Sequence, residues 1–269
     1  MARPVALAAA GPVSQNARVL RVFTVLYWLF AVAVMPIFFA VGLVIFALTL
    51  PFDRRRLVLH LYSCFWASFY VYANPLWRAR VIGREKLPWR GAAVIVANHL
   101  SLVDILVLYG LYRPFKWVAK AELFRVPIVG WHMALNDYVR LRRGERDSIL
   151  AMMDHCRAHL ARGSPVLIFP DGTRSATGVL QKFKDGAFKL AFETGHPVIP
   201  IALRGTFDAM PKHGLVMRQR MEALVQVLDP IDPRAYATAA ELRDAVRAAI
   251  ARVVGDDTPV EHSVERRSS

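Results

Sequence analysis

An uncharged apolar run close to the N-terminus constrains this chain more than any other feature. From Val22 to Leu50 the sequence contains no charged side chain. The run is longer than the roughly 20 residues that a helix needs to cross the hydrocarbon core of a bilayer. It also exceeds the roughly 7–15-residue apolar region of a cleaved signal peptide, and Pro36 and Gly42 are positions where a helix can bend. We therefore predict an N-terminal apolar helical membrane motif.

A second uncharged stretch, Leu57 to Trp77, is shorter and more polar. It contains His60, Ser63, Ser68 and Asn74. Its tyrosines and tryptophans are typical of the membrane–water interface: Tyr62, Trp66, Tyr70, Tyr72 and Trp77. This composition favours an interfacial position for the second stretch.

The positive charge of the chain is concentrated beside these two stretches. There are 35 Lys and Arg against 21 Asp and Glu, a net charge of +14, and residues 1–90 hold eleven cations and two anions, which is +9 of that excess. A chain that is 55% apolar and this basic suits a membrane surface, a nucleic acid or a phosphate-bearing substrate. Because the cations flank apolar segments and no nucleic-acid motif is recognisable, anionic lipid is favoured over DNA or RNA.

The arginines also bear on membrane topology. Arg18 and Arg21 precede the first stretch, Arg54–Arg56 lie between the two, and further arginines follow the second. Two ordinary spans would carry Arg54–Arg56 to the far side of the membrane, against the positive-inside rule. We predict instead that one or both stretches bend or lie within one leaflet, so that the basic residues stay cytoplasmic. Two ordinary spans remain the alternative.

From Val81 onward the pattern is that of an α/β domain. Short apolar runs predict buried strands at Ala92–Ala97, Phe115–Ala119, Val166–Phe169, Val198–Leu203 and Val225–Leu228. Apolar residues at helical spacing predict helices at Asp147–Arg162, Ala187–Glu193 and Glu241–Val254. Strands that alternate with helices indicate a layered, mostly parallel sheet with flanking helices.

The chain accordingly divides into three parts. We predict a membrane-associating helical segment at residues 1–80, the α/β domain at residues 81–254, and a disordered tail in the polar residues 255–269. Cys64 and Cys156 lie in an apolar stretch and a predicted helix, so we expect no disulfide.

Two polar motifs directly follow predicted strands. The first runs from Asn98 to Asp104 and contains His99. A carboxylate beside a histidine can hold the imidazole tautomer, so that the ring acts as a general base. Residues five apart on a regular helix point in different directions, so His99 must precede the helix for Asp104 to face back towards it. A capping box formed by Ser101 and Asp104 is an equally good interpretation, and the two roles are compatible.

The second motif, Phe169–Ser175, contains a Pro-Asp-Gly turn followed by Thr173 and Arg174. Its backbone N–H groups, hydroxyl and guanidinium suit a phosphate, although an ordinary turn with an exposed arginine would have the same sequence. Cations near other strand ends would complete a site for a dianionic phosphate: Lys120, Arg140 and Lys182.

With these blocks in their order, the chain resembles the lysophosphatidic acid acyltransferase (1-acyl-sn-glycerol-3-phosphate acyltransferase) family of glycerophospholipid acyltransferases. Asn98–Asp104 matches that family's His-x-x-x-x-Asp motif. The other blocks are Lys120–Trp131 leading into Tyr138–Arg140, Phe169–Ser175 followed by Phe183–Ala187, and His196–Ile201. Together they cover about residues 80–210.

The resemblance implies transfer of a fatty acyl group from acyl-CoA or acyl carrier protein to the sn-2 hydroxyl of lysophosphatidic acid, giving phosphatidic acid. His99 would deprotonate the glycerol hydroxyl, and Asp104 would orient His99. The substrate would be bound by Lys120, Arg140, Gly172, Thr173, Arg174 and Lys182. No metal, other cofactor or covalent serine intermediate is implied, and the enzyme would work at the cytoplasmic face of a membrane, as in the bacterial inner membrane.

Two alternatives stay open. Relatives acylate other lyso-lipids, such as lyso-ornithine lipid, and a non-catalytic lipid-binding protein could keep the same fold. The presence of both His99 and Asp104 favours an enzyme, and Lys120 and Arg174 favour a phosphate-bearing acceptor.

The chain departs from the family pattern at two places. Asp171 stands where the family usually has glutamate, so no substrate-binding role is assigned to it, and the second block ends in a less typical sequence before Arg140. His155 and His159 are spaced to share a helix face, but we predict no metal site because the sequence offers no third ligand at a suitable spacing.

Overall fold

The structure is a computed structural model that describes residues 15–207, 209, 210, 217 and 220–255. The predicted tail at 255–269 lies outside these residues apart from Gly255. The described chain contains one sheet of seven strands: β1 (Trp77–Ile82), β2 (Val94–Ala97), β3 (Lys116–Lys120), β4 (Val139–Leu141), β5 (Val166–Ile168), β6 (Val198–Arg204) and β7 (Met221–Val227).

Strand order in the sheet is β1-β7-β6-β2-β5-β3-β4. The five strands from β6 to β4 are parallel to one another, whereas β7 is antiparallel to β6 and parallel to β1. The mostly parallel layered sheet expected from the sequence is therefore confirmed.

The described chain contains seven α-helices: α1 (Gln15–Thr49), α2 (Leu57–Ala73), α3 (Val103–Tyr109), α4 (Val129–Leu135), α5 (Arg146–Ala161), α6 (Gly186–Thr194) and α7 (Ala239–Val254). Strand β2 is buried on both sides. Ile95 and Ala97 share one apolar core with residues of α1, α2 and α3, whereas Val94 and Val96 share another with α5, α6 and α7. A fully apolar strand is what a sheet covered on both faces requires.

The five predicted strands and three predicted helices are present, most with ends within two residues of the predicted ones. Strand β7 begins at Met221, four residues earlier than predicted. Strands β1 and β4 and helix α4 were not predicted, whereas α3 begins at Val103, next to the start near Leu102 that the capping box implied. β1 alternates buried and exposed residues and includes Arg78 and Arg80, so it resembled a basic flank of the apolar stretch.

Helix α1 continues through Pro36 without interruption. Among the described residues, it supplies the one helix long and apolar enough to cross a membrane, from Arg18 to Thr49, whereas α2 has 17 residues. One side of α1 leaves large apolar side chains exposed, including Val25, Leu29 and Leu48.

The other side of α1 packs on α2 and α4. The Tyr27 hydroxyl donates a hydrogen bond to the Tyr70 carbonyl at 2.7 Å, and the Tyr70 hydroxyl donates to the Ala31 carbonyl at 3.0 Å. A Cβ atom on Gly42 would lie only 3.2 Å from the His132 ring, so glycine lets α1 approach α4 closely.

The arginine-containing loop between α1 and α2 lies against the α/β domain. The Asp53 carboxylate accepts hydrogen bonds from the backbone N–H groups of Leu57 and Val58, at 2.8 and 2.7 Å, and so satisfies donors at the start of α2. Arg55 Nε donates to Ser164 Oγ at 3.1 Å, just before β5. This contact places the loop between α1 and α2 against the α/β domain, which favours the prediction that both lie on one side of the membrane.

We therefore predict that Arg54→Cys and Arg146→Cys, both at exposed positions, have the same accessibility to an impermeant maleimide in sealed cells. Both should react only after the cells are permeabilised if the α/β domain is cytoplasmic. The native Cys64 and Cys156 are buried and give little background. Reaction at one position and protection at the other would show that the loop and the domain lie on opposite sides of the membrane.

Candidate active site

The polar motifs meet at one edge of the sheet. β2, β5, β3 and β4 are parallel neighbours in that order, so their carboxyl ends lie side by side. His99 follows β2, the loop 169–175 follows β5, Lys120 ends β3 and Arg140 lies in β4. The carboxyl edge of an open α/β sheet is where ligands usually bind.

His99 and Asp104 are in direct contact. His99 Nδ1 lies 2.8 Å from Asp104 Oδ2, and His99 precedes α3 as the spacing predicted. The same Oδ2 atom accepts hydrogen bonds from the backbone N–H groups of Leu100 at 2.6 Å and Ser101 at 2.8 Å. One carboxylate oxygen therefore makes both the contact expected for orienting the ring and the Ser101 N–H contact of a capping box. The Ser101 hydroxyl accepts from the Val103 N–H at 3.4 Å, so only half of the predicted capping box is present.

This contact leaves the other ring nitrogen of His99, Nε2, available to a substrate. Asp104 is completely buried, and the His99 side chain is 11% exposed. Because the carboxylate accepts a hydrogen bond from Nδ1–H, the neutral ring has its lone pair on Nε2, and this atom has no hydrogen-bond partner among the described residues. The arrangement can accept a proton from a substrate hydroxyl and stabilise the imidazolium that results.

The loop after β5 surrounds the same histidine. Asp171 Oδ2 accepts a hydrogen bond from the His99 backbone N–H at 3.0 Å. The Ser175 N–H donates to the His99 carbonyl at 2.9 Å, and the Phe169 ring stacks on the imidazole with centroids 4.0 Å apart. The two strand-end motifs therefore form one site.

Asp171 is itself unusual in its electrostatics. Burial raises the pKa of its carboxyl to about 7, and the nearby Asp104 carboxylate acts in the same direction. The hydrogen bond from the His99 N–H and the positive charge of Arg143 act in the opposite direction. A carboxyl with such a pKa changes its protonation state near neutral pH.

The cationic half of the site lies further along the loop. Gly172 has φ +69°, a conformation that glycine adopts without strain, and a Cβ atom there would lie 3.0 Å from Lys184 Nζ. The Thr173 carbonyl accepts a hydrogen bond from Gln181 at 2.9 Å, and Arg174 is half-buried beside it. These contacts hold the turn in a defined shape.

The other predicted cations are more exposed. Lys120 lies 3.6 Å from Glu122 at the surface, and the Arg140 guanidinium lies 4.7 Å from the centre of the Phe124 ring. Lys182 is exposed. Lys184, in the Phe183–Ala187 block that follows it, is the lysine that contacts the Gly172 turn. The substrate-binding roles of Lys120, Arg140 and Lys182 stay predictions.

Several residues of the site have roles that the sequence did not indicate. Phe169 and Asp171 belong to the second motif, but their contacts with His99 depend on β2 and β5 being neighbours. The Asn98 side-chain amide exchanges two hydrogen bonds with the Leu203 backbone, at 2.8 and 3.0 Å, and so joins the end of β2 to β6. Lys184 lies in a block that the sequence does single out.

A cavity of about 270 Å³ opens on the β6 side of the motif. Asn98 and Leu100, the neighbours of His99, form one wall, and Gly178, Arg204 and Phe207 lie on other sides. The cavity brings solvent-accessible space next to the catalytic motif.

His155 and His159 acquire a third neighbour in the structure. Asp137 lies before α5, and its Oδ1 is 3.3 Å from His155 Nε2. The possible ligand atoms of the three residues lie within 4.8 Å of one another. The prediction that His155 and His159 have no third ligand nearby was therefore wrong. His159 Nε2 also contacts the Asp137 carbonyl at 2.9 Å, and Arg162 lies 3.7 Å from the carboxylate, so protein groups already occupy these atoms.

Comparison with known proteins agrees with this geometry. An acyltransferase family model matches residues 78–204. The chain is 38% identical over 226 residues to a 1-acyl-sn-glycerol-3-phosphate acyltransferase of Chlamydomonas reinhardtii, covering 83% of this chain and 66% of the relative. It is 40% identical to a chloroplastic enzyme of the same name from Arabidopsis thaliana, covering 58% of this chain and 44% of the relative. The chain thus spans about half to two thirds of these longer relatives.

Bacterial proteins match over more of their length. A 1-acyl-sn-glycerol-3-phosphate acyltransferase of Pseudomonas aeruginosa is 32% identical, with 70% of this chain and 73% of the relative covered. The crystal structure of the 1-acyl-sn-glycerophosphate acyltransferase PlsC from Thermotoga maritima superposes with a TM-score of 0.72 at 25% identity, covering 88% of this chain and 96% of that one. On this evidence the chain belongs to the 1-acyl-sn-glycerol-3-phosphate acyltransferase family.

Proposed function

We propose that the protein transfers a fatty acyl group from acyl-CoA or acyl carrier protein to the sn-2 hydroxyl of lysophosphatidic acid, giving phosphatidic acid. The observation that carries this proposal is the 2.8 Å contact between His99 Nδ1 and Asp104 Oδ2 at the carboxyl edge of the sheet. It leaves Nε2 as a base beside a loop that contains Gly172, Thr173 and Arg174. The family relationship supports the same reaction.

In the proposed mechanism, His99 Nε2 takes the proton of the acceptor hydroxyl as its oxygen attacks the thioester carbonyl. A new C–O bond forms, and the tetrahedral intermediate then collapses with cleavage of the C–S bond. The departing thiolate takes the proton from the imidazolium, which returns His99 to its neutral form. Asp104 stabilises the imidazolium while the proton resides on the ring.

The phosphate of the acceptor is expected to bind at the 172–174 turn. Arg174 can form paired hydrogen bonds to phosphate oxygens, and Lys184 adds positive charge against the same turn. Lys120 and Arg140 extend the positive surface along the neighbouring strand ends. This charge favours lysophosphatidic acid over a lyso-lipid without a phosphate.

The apolar face of α1 and the adjoining arginines suit attachment to an anionic membrane surface. The lyso-lipid acceptor and its product are membrane lipids, so an active site close to that surface receives them without passage through water. We place the α/β domain at the cytoplasmic face, where acyl-CoA and acyl carrier protein are found.

An assay of purified protein with several acceptors tests the substrate assignment. Lysophosphatidic acid, lyso-ornithine lipid and monoacylglycerol would each be offered with acyl-CoA and with acylated carrier protein. The proposal expects the highest kcat/KM with lysophosphatidic acid. A preference for lyso-ornithine lipid would assign a different acceptor, and no transfer with any pair would favour a non-catalytic lipid-binding protein.

We predict that His99→Ala lowers kcat by about 10²–10⁴-fold, since this is the usual contribution of a positioned general base. The variant should still associate with membranes, because the exposed apolar side chains that would bind lipid lie on α1 and are unchanged. His155→Ala, at a partly exposed histidine on α5, is the matched control and should keep its activity. Full activity of His99→Ala would refute the mechanism.

We also predict that Arg174→Ala raises KM for lysophosphatidic acid by roughly tenfold or more, because a charge-assisted hydrogen bond to phosphate is lost. KM for the acyl donor should change little. The control is Arg157→Ala, which removes an arginine paired with Glu193 at the surface. Equal effects on the two substrates would count against a role of Arg174 in phosphate binding.

A further inference from the structure

The catalytic histidine is held on three sides by one loop. Asp171 binds its backbone N–H, Ser175 binds its carbonyl, and the Phe169 ring stacks on the imidazole with an angle of 11° between the planes. Asp104 contacts only the Nδ1 side of the ring. The position of the His99 backbone therefore depends on the loop after β5 as much as on its own strand.

The same loop contains the proposed phosphate-binding turn. Asp171 is the residue immediately before Gly172, and the Pro170 carbonyl accepts a hydrogen bond from the Lys184 N–H at 2.8 Å. Lys184 in turn packs against Gly172. A displacement of the turn would move the Asp171 carboxyl, and with it the His99 backbone.

The Asp171 carboxyl is energetically unfavourable at this buried position. It is 6% exposed, and its Oδ1 atom has no hydrogen-bond partner among the described residues. Leaving a buried polar atom without a partner costs on the order of 1–3 kcal/mol. A neutral small residue would avoid that cost, so the carboxyl is better explained by the one hydrogen bond that it does make, to His99.

We propose that Asp171 is a positioning residue for acyl transfer, which fixes the His99 backbone and couples it to the phosphate-binding turn. The inference rests on the proposed function. It assigns a role to Asp171, at a position where the family motif usually has glutamate. Asp171 itself need not contact the substrate, because its Oδ2 atom acts through His99.

The test compares Asp171→Ala with Asp171→Asn. Alanine removes the acceptor for the His99 N–H, whereas asparagine keeps an acceptor oxygen and a similar volume. We expect Asp171→Ala to lower kcat by about 10- to 100-fold with KM for lysophosphatidic acid nearly unchanged, since small displacements of a catalytic group have effects of this size. Asp171→Asn should keep kcat within about threefold of the wild-type value, because the positioning contact survives.

Phe169→Leu provides a second variant should Asp171→Ala fail to fold. It removes the ring stacked on His99 but keeps an apolar side chain, and it should lower kcat with little change in KM. Asp154→Ala, at an exposed carboxylate on α5, is the matched control and should resemble the wild type. Equal losses of kcat in the Ala and Asn variants would mean that the charge of Asp171 matters rather than its acceptor atom, and would overturn the proposal.

A chemical readout separates this inference from the proposed function. Diethylpyrocarbonate modification of His99, followed by peptide mass spectrometry, should be faster in Asp171→Ala than in the wild type or Asp171→Asn, with His155 as the internal reference. This result is expected whichever lyso-lipid is the acceptor, so an inactive wild type would refute the function alone. Equal labelling and equal kcat in all variants would refute the positioning role alone.

Discussion

The active site depends on a single buried oxygen, Asp104 Oδ2. It accepts hydrogen bonds from the His99 ring and from the backbone N–H groups of Leu100 and Ser101. Two of these contacts shape the turn before α3, and the third sets the tautomer of the base. One atom therefore both stabilises this turn and holds the His99 ring. The three donors at Oδ2 offset part of the cost of burying this carboxylate, whose Oδ1 atom has no hydrogen-bond partner among the described residues.

The order of strands in the sheet determines which residues lie next to the His99 ring. Since β2 and β5 are parallel neighbours, the loop after β5 reaches His99 and brings Gly172 and Arg174 to the same edge. Five further arginines have a separate place, around α1, α2 and their connecting loop: Arg18, Arg21, Arg54, Arg55 and Arg56. The Arg55–Ser164 contact joins this apolar unit to the α/β domain, so the proposed base, the proposed phosphate-binding turn and the exposed apolar side of α1 are parts of one packed body.

The elements that the sequence predicted well are those with strong local patterns. β2 and β6 are continuous apolar runs, and α7 repeats its apolar residues at helical spacing. The missed strands β1 and β4 lie at the two edges of the sheet, where charged side chains are tolerated. The His99–Asp104 contact followed from spacing, but the Asp171–His99 contact joins a side chain to a backbone atom 72 residues away, and no local pattern indicates it.

The most direct test of this account is a double-mutant cycle on kcat for acyl transfer. It uses His99→Ala, Asp104→Asn and the double variant, with single-turnover detection of a labelled acyl group. If Asp104 acts through His99, the Asp104→Asn change lowers kcat strongly in the wild type but has almost no further effect once His99 is absent. Losses that multiply independently in the double variant would contradict the account.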